Sequence, residues 1–356
     1  MIRRTVAVVM GGRSSEREVS LVSGSAVARA IDRDRYRVML VEIDQDGRWA
    51  QSETLYGQDH LAHTCADATD PERHPYHLHS DLGELWRILS QADMVFPVLH
   101  GPYGEDGTIQ GLLETAGVPY VGGGVLFNSV CMHKPTLKSL LVHHGIPTPE
   151  FRTVHAGAWS ADSRAESDAV IEALGLPLFV KPSSLGSSIG ISRVDDAALL
   201  GQAIHLALRY GSTAIVEMAV PHAREIECAV MGNDAPRAAG VVGEIVPRNQ
   251  FYDYESKYVH DSGLFVPARG LSGRETESLR EMAVAAYRVA DGAGYARVDF
   301  LIGDQGAMVN EINTIPGFTE ISMFPRLFMA DGMSFAQIVD ELISLAWERS
   351  ERKSLA

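Results

Sequence analysis

The chain has 356 residues, of which 46% are hydrophobic and 22% charged, the proportions of an ordinary soluble globular protein. At roughly 150 residues per domain, this length predicts two or three domains that need neither disulfides nor structural metals to fold. The net charge of −15 argues against general binding to nucleic acids or anionic membranes, because both require a basic surface.

The cysteines and the apolar segments indicate a cytoplasmic enzyme. Cys65, Cys131 and Cys228 are widely spaced and form neither a disulfide framework nor a zinc-binding pattern. No segment approaches the roughly 18 consecutive apolar residues of a membrane-spanning helix. The apolar run that follows Met1 is too short for a signal peptide.

The first third of the chain predicts an α/β unit. The apolar run 6–10, a glycine pair and a helical pattern through Ile31 indicate a strand, a tight turn and a helix. A second buried strand is predicted over 94–99, followed by a helix with apolar residues at spacings of three and four. Residues 51–80 are polar and unpatterned, and we interpret them as a surface excursion.

The rest of the chain continues the α/β pattern. Further strands are predicted over 177–181, 214–217, 226–231 and 240–246. Helices are predicted over 137–144, near 196–210, around Leu279 to Val289 and from Phe335 onwards. This order predicts an α/β protein of three compact lobes, with boundaries at 1–125, 126–219 and 220–356.

The segment 297–313 predicts a β-hairpin with a polar face. Two strands of period two are separated by a five-residue loop that contains glycine. A turn centred on Gln305 places Asp299 opposite Glu311 and Arg297 opposite Asn313. Facing carboxylates favour a cation between them, and oxygen ligands select Mg²⁺ or Mn²⁺. A solvated face with an Arg–Asp pair explains the hairpin alone equally well.

The residues that follow the hairpin favour a site. The segment 314–319 is a Pro-Gly turn directly after the second strand, which leaves the backbone N–H of Gly317 available to a ligand oxygen. Ser322 comes shortly afterwards. An ordinary turn explains the conformation but not its position beside two carboxylates.

A Gly/Ser loop after Lys181 is a candidate phosphate-binding segment. Lys181 ends an apolar strand, and the small residues of 182–190 expose backbone N–H groups that can surround phosphate oxygens. The chain contains no Gly-Lys dipeptide, which excludes P-loop NTPases. A plain connector remains the alternative.

Two other loops have the composition of ligand-contacting segments. His100 stands at the end of a buried strand, where ligands bind in open α/β sheets, although a capped strand-to-helix turn is the alternative. The loop 248–268 contains four aromatic residues and Lys257 between 251 and 258, which is typical of a lid that closes on a ligand. An adhesive surface loop explains this composition equally well.

These motifs together resemble the D-alanine–D-alanine ligase family of the ATP-grasp superfamily. The matching segments are 11–20, 100–111, 254–258, 297–299 and 311–317, in the order of the family. The resemblance implies a three-lobed ATP-grasp architecture, in which an N-terminal doubly wound α/β lobe joins two α+β lobes that clasp ATP.

The resemblance also implies roles in binding ATP and metal ions. Lys134 and Lys181 resemble the lysines on the ATP phosphates, Glu217 a residue near adenine and Glu225 the ribose contact. The further ATP-binding residues that it implies are Ser187 and Lys257. Two Mg²⁺ ions, for which Mn²⁺ can substitute, would be held by Asp299, Glu311 and Asn313.

For the amino acids, the resemblance implies two subsites and an oxyanion site. Glu16 resembles the residue that binds the ammonium of the first D-alanine, and His100 is a further substrate contact. Ser187 and Tyr258 would form with Glu16 the hydrogen-bonded set that closes the lid. The carboxylate of the second D-alanine would be held by Ser322 and Lys257. The oxyanion would be stabilised by Arg297 and the Gly317 N–H.

The implied activity is ATP-dependent ligation of two D-alanine molecules through an acyl phosphate, for peptidoglycan precursor synthesis. Tyr258 indicates amide rather than depsipeptide formation, and the family implies a cytoplasmic homodimer that binds neither nucleic acid nor membrane. A kinase and a non-catalytic nucleotide-binding regulator are the alternatives. A kinase does not need Glu16 for an ammonium or Ser322 for a second carboxylate, and a regulator does not need an oxyanion arginine.

Overall fold

The computed structural model describes residues 3–63, 82–246 and 263–353, which form three β-sheets flanked by helices. The predicted α/β class is confirmed. The lobe boundaries near residues 125 and 219 stay a prediction. Within the described part of the chain, no helix is long and apolar enough to cross a membrane.

The N-terminal sheet has four strands in the order β3-β2-β1-β4. Its strands are β1 (Arg4–Gly11), β2 (Tyr36–Ile43), β3 (Trp49–Ser52) and β4 (Met94–Pro97). Its helices are α1 (Arg17–Ala30), α2 (Leu82–Leu89) and α3 (Thr108–Ala116). The central strand β1 pairs in parallel with both neighbours, and its apolar run is fully buried, as expected for a parallel strand covered on both faces.

Two helices link this sheet to the next one: α4 (Val125–Met132) and α5 (Lys134–His143). The helix α5 begins three residues earlier than the predicted 137–144. It accommodates Pro135 because a proline in the first turn of a helix costs no hydrogen bond.

The central sheet is antiparallel, with the order β5-β8-β6-β7. Its strands are β5 (Phe151–His155), β6 (Leu178–Pro182), β7 (Ser192–Val194) and β8 (Thr213–Met218). Its helices are α6 (Ala156–Ala161), α7 (Ser163–Leu174) and α8 (Ala197–Leu208). The Gly/Ser loop predicted after Lys181 therefore connects β6 to β7.

The C-terminal sheet has six strands, and β9 and β13 lie at its centre. Its strands are β9 (Arg224–Met231), β10 (Arg237–Ala238), β11 (Gly243–Val246), β12 (Gly263–Phe265), β13 (Tyr295–Gly303) and β14 (Gly306–Asn313). Its helices are α9 (Gly273–Val289), α10 (Met323–Ala330) and α11 (Phe335–Lys353). The strand β12 falls inside the predicted loop 248–268, of which residues 248–262 lie outside the described chain.

The hydrophobic cores connect the three sheets unequally. One buried cluster joins β1 and β4 of the N-terminal sheet to α10 and α11 of the C-terminal region. A second joins α4 and α5 to β9, β13 and α9. The central sheet has a cluster of its own, which draws on residues between Val154 and Val216.

The segment predicted as a surface excursion is partly ordered against the core. Its beginning forms the end of β3, and a 3₁₀ helix over Gln58–His63 follows. Leu61 of that helix is 7% exposed and packs on Val19 and Val22 of α1. The polar composition hid this contact because a single leucine carries no periodicity. Residues 64–81 lie outside the described chain.

Candidate active site

A cleft between the N-terminal and C-terminal sheets holds most of the predicted amino-acid-binding residues. Its cavity has a volume of about 160 Å³. The predicted residues on its wall are Glu16, His100, Ser187, Arg297, Glu311, Asn313, Gly317 and Ser322. The sequence therefore identified residues that are far apart in the chain and meet at one cavity.

The hairpin β13–β14 supplies a row of charged side chains. Asp299 pairs with Glu311 and Arg297 with Asn313, as predicted. The guanidinium of Arg297 donates two hydrogen bonds to the Asp299 carboxylate, each 2.7 Å long, and Asn313 Nδ2 donates a third at 2.8 Å. Burial disfavours the charge of Arg297, but Asp299 and a neighbouring glutamate outweigh it and raise its pKa well above the ordinary value.

That neighbour is Glu227 on β9, a residue that the sequence interpretation missed. Glu227 lies directly opposite Asp299 across the β9–β13 pair, and its Oε2 is 3.1 Å from Arg297 Nε. Three carboxylates from adjacent strands thus lie in a row around one arginine. The signal for it was present, because Glu227 follows the predicted Glu225 by two residues and residues two apart share a strand face.

The hairpin fits a hard divalent cation by the chemistry of its donors. Asp299, Glu311 and Asn313 present carboxylate and amide oxygens on one face, the ligand type that Mg²⁺ and Mn²⁺ prefer. Among the described residues, no group of three or more His, Cys, Asp or Glu side chains is arranged to hold a metal ion. The candidate set contains two carboxylates, so the amide of Asn313 is needed to complete it.

A second charged cluster lies between the central sheet and β14. Lys181 Nζ is 2.6 Å from Glu217 Oε2, and Lys138 Nζ is 3.2 Å from Glu217 Oε1. Burial raises the pKa of Glu217, but the two lysines outweigh it and hold the pKa below its ordinary value. Burial lowers the pKa of Lys138 to about 8, although Glu217 opposes it.

Lys138 was not predicted as a site residue. It lies four residues after the predicted Lys134 on α5, and this spacing places both lysines on one helix face. Its Nζ donates to Thr148 Oγ1 at 2.9 Å, and the residue is fully buried.

Lys134 links Glu311 of the hairpin to the Gly/Ser loop. Its Nζ donates to the carbonyl of Leu185 at 2.7 Å and lies 3.7 Å from Glu311 Oε2. The predicted ATP residues Lys134, Lys181, Glu217 and Glu225 are not part of the cavity wall. One of them, Lys134, lies beside a residue of that wall, Glu311.

Glu16 and the Gly/Ser loop approach each other across the cleft. A Cβ atom on Gly101 would lie 2.8 Å from Glu16 Oε2, and one on Gly186 would lie 3.5 Å from it. Glycine is therefore needed at Gly101, where φ is also +72°. Ser187 adopts φ 53°, and its buried Oγ has no hydrogen-bond partner within the described residues.

The turn after the hairpin is held by residues of the N-terminal sheet. His100 Nδ1 lies 2.8 Å from the Ile315 carbonyl, and the Ile315 N–H donates to Glu105 Oε1 at 2.9 Å. Glu105 also accepts from the Gly101 N–H at 2.8 Å. It was not singled out from the sequence, although it belongs to the 100–111 motif.

Both Gly317 and Ser322 lie where the sequence places them, at the end of this turn. A Cβ on Gly317 would lie 3.2 Å from Ser322 Oγ, so the glycine allows the hydroxyl a close approach. Ser322 Oγ accepts from the Thr319 N–H at 3.1 Å and contacts Thr319 Oγ1 at 2.9 Å. The predicted lid residues Lys257 and Tyr258 lie outside the described residues.

Known protein families and relatives match nearly the whole chain. Residues 5–123 match the family described as D-ala D-ala ligase N-terminus, and residues 140–344 match that described as D-ala D-ala ligase C-terminus. The chain is 44% identical to the D-alanine–D-alanine ligase of Chlorobium luteolum, with 98% of both chains covered. It is 38% identical to that of Natranaerobius thermophilus, over 99% of this chain and 97% of the other.

Solved structures give the same result. The VanG D-Ala:D-Ser ligase from Enterococcus faecalis aligns with a TM-score of 0.80 and 33% identity, covering 97% of this chain and all of the other. The D-alanine–D-alanine ligase from Coxiella burnetii aligns with a TM-score of 0.79 and 31% identity, over 99% and 97% of the two chains. The chain therefore belongs to the D-alanine–D-alanine ligase family and has its three-lobed ATP-grasp fold.

Proposed function

We infer that this chain joins two D-alanine molecules into D-alanyl-D-alanine, with conversion of ATP to ADP and phosphate. The observation that carries this conclusion is the composition of one cavity wall. An ammonium-binding carboxylate (Glu16), an arginine (Arg297) and a glycine N–H with a serine beside it (Gly317 and Ser322) face the same space. The product would serve as the terminal dipeptide of the peptidoglycan precursor.

The first step that we propose is phosphoryl transfer to the first D-alanine. Its carboxylate oxygen attacks the γ-phosphorus of ATP, which gives an acyl phosphate and ADP. Lys181, Lys134 and the backbone N–H groups of the Gly/Ser loop would bind the phosphates. Phosphoryl transfer depends mostly on positioning and charge neutralisation, which such cations and amides provide. Glu217 and Glu225 would hold the nucleoside.

Asp299, Glu311 and Asn313 would hold two Mg²⁺ ions, with Mn²⁺ as a substitute. Metal ions bound there would neutralise negative charge on the phosphate oxygens. The protein's own part is to set three oxygen donors on paired strands beside Lys134.

The second step that we propose is attack by the second D-alanine. Its amine attacks the acyl carbon, and phosphate leaves after a tetrahedral oxyanion has formed. Glu16 would bind the ammonium of the first D-alanine, and Ser322 with Lys257 the carboxylate of the second. Arg297 and the Gly317 N–H would stabilise the oxyanion, and one such donor is worth about 3 kcal/mol, or a hundredfold or more in rate.

The lid would exclude water from the acyl phosphate, with Tyr258 and Ser187 completing the closed state around Glu16. The buried Oγ of Ser187, which has no partner within the described residues, supports this role. We further propose a homodimer that works in the cytoplasm, where ATP is available, and that binds neither nucleic acid nor membrane.

The experiment that tests this function measures phosphate release from ATP and Mg²⁺ with D-alanine, L-alanine, D-serine or D-lactate offered alone, and with D-serine or D-lactate offered together with D-alanine. Products are resolved by mass. We expect release that depends on D-alanine, with the mass of D-alanyl-D-alanine. A mixed D-alanyl-D-serine product in preference to the dialanine would transfer the chain to the specificity named for the E. faecalis relative. A stable phosphorylated product without a dipeptide would favour a kinase.

A further inference from the structure

The backbone of Ile315 is held at both its N–H and its carbonyl by the N-terminal sheet region. Its N–H donates to Glu105 Oε1 at 2.9 Å, and its carbonyl lies 2.8 Å from His100 Nδ1. His100 and Ile315 are 4% and 3% exposed, so these bonds are shielded from water. A loop of one sheet therefore fixes one end of the turn that follows β14.

The other end of that turn is fixed from α1. The Phe318 N–H donates to Ser23 Oγ at 3.2 Å, and Ser23 Oγ is also 3.2 Å from His100 Nε2. Ser23 and Phe318 are fully buried. Only Pro316 and Gly317 lie between the two anchored residues, and the ring of proline fixes its own φ.

The hydrogen bonds of this network are satisfied in one arrangement of protons. Burial lowers the pKa of His100, against the opposing effect of Glu16, which favours the neutral ring with its single proton. The Ile315 carbonyl can only accept, so that proton is on Nδ1. The Ser23 hydroxyl then donates to Nε2, and its oxygen accepts from Phe318. Ser23 thus bridges His100 and Phe318.

We propose that Ser23, His100 and Glu105 are positioning residues that hold the 315–318 turn so that the Gly317 N–H points at the oxyanion. This inference deepens the proposed function and rests on it. Preorganised donors act strongly in catalysis because they need no reorganisation when charge develops. A displacement of about 1 Å in such a group costs on the order of a hundredfold in rate.

The test uses Ser23→Ala and Glu105→Ala in the full chain. Ser25→Ala is the matched control for the first, because Ser25 is an equally buried hydroxyl on α1 that accepts from Tyr56 and does not touch the turn. Asp106→Asn is the control for the second. Asp106 lies beside Glu105, and its carboxylate accepts from the backbone N–H groups of Tyr103 and Thr108 in its own loop.

Four quantities are measured: kcat for dipeptide formation, KM for ATP, the thermal unfolding midpoint, and the Kd of a dipeptide analogue with a tetrahedral phosphinate in place of the amide. We expect both variants to lose about 10- to 100-fold in kcat and a similar factor in phosphinate affinity. The KM for ATP should stay within about twofold, and the controls should match the wild type. Glu105→Gln keeps one acceptor oxygen and should restore part of the loss.

Unchanged kcat in both variants would overturn the proposal. So would a loss of kcat with wild-type phosphinate affinity, or an equal loss in the controls. If Ser23→Ala does not fold, the comparison of Glu105→Ala with Glu105→Gln decides on its own. Failure of the proposed function is recognised separately, because the wild type would then make no dipeptide, and the positioning role would fail with it.

Discussion

The molecule contains two clusters of buried charge that differ in the sign of their excess. Around Glu217, two lysines surround one carboxylate, so the cluster is cationic. Around Arg297, the carboxylates of Glu227 and Asp299 face one guanidinium, with Glu311 next in the row, so the cluster is anionic. Lys134 lies 3.7 Å from Glu311 of the anionic cluster.

The difference shows what each cluster is suited to bind. A buried excess charge is costly unless a partner of opposite sign is present, so a cationic cluster favours an anion and an anionic cluster favours a cation. Phosphate oxygens suit the first, and a divalent metal suits the second. ATP with its metal ion carries both, which agrees with the ATP and metal roles proposed for the two clusters.

The strongest test removes the oxygen donors of the anionic cluster. We expect Asp299→Ala and Glu311→Ala each to lower kcat about a thousandfold or more, because several kcal/mol of charge stabilisation are lost. Dipeptide formation measures this, and the thermal unfolding midpoint checks the fold. The control is Asp304→Ala, an exposed carboxylate in the turn of the same hairpin. Near-normal turnover in both variants would remove the metal assignment.

A second test neutralises the single anion of the cationic cluster. Glu217→Gln leaves Lys138 and Lys181 buried without their shared carboxylate, and removing one partner of a buried pair typically costs about 3 kcal/mol or more. We expect the free energy of unfolding in urea to fall by roughly that amount. The exposed Glu150, at the edge of the same sheet, offers Glu150→Gln as a control that should change little. Equal stability of the two variants would contradict a tightly coupled cluster.

The pH dependence of stability tests the excess of negative charge near the cavity. Burial, helped by Glu16, raises the pKa of Glu105 from 4.5 to about 8. Folding thus favours the protonated form, so the stabilising contribution is complete below pH 4.5 and is lost as the pH rises through about 8. We expect the difference in unfolding free energy between wild type and Glu105→Gln to fall over this window. A flat difference would mean that the carboxyl titrates normally.

The smallest effect is expected far from both clusters. Ser272 forms a capping box with Glu275 at the start of α9. Ser272→Ala should cost about 1 kcal/mol of stability, the usual value for a lost N-cap, and leave kcat unchanged. A large loss of activity in this variant would mean that a loss of stability is enough to lower kcat. The activity losses expected for the variants of the anionic cluster could then no longer be assigned to the site itself.

The hairpin β13–β14 shows which features of the site could be predicted from the sequence. Period-two alternation predicted the pairs Arg297–Asn313 and Asp299–Glu311 correctly. The turn differs from the predicted five-residue loop. The strands continue to Gly303 and Gly306, which leaves a two-residue turn, and a β-bulge between Asp299 and Phe300 shifts the register by one. A five-residue loop and a two-residue turn with a bulge give the same pairing near the site, and the pattern of side chains does not distinguish them.

The residues that were missed depend on contacts between distant segments. Glu227 belongs to the site because β9 pairs with β13, and no local pattern of the sequence encodes that pairing. Glu105 belongs to the site because it accepts a hydrogen bond from the Ile315 N–H, 210 residues away. Lys138 had a usable signal, its spacing of four from Lys134, but only the packing of α5 shows that it is buried. The roles of the site residues stay predictions until they are measured.

The separate hydrophobic cluster of the central sheet has a mechanical consequence. A rotation of that sheet about its connections near residues 148 and 220 would leave the other hydrophobic clusters closed, since its own cluster draws only on residues between Val154 and Val216. The other two sheets share buried side chains. The ion pair between Lys138 on α5 and Glu217 on β8 would have to open in such a rotation, so a pair of buried charges rather than apolar packing would resist it.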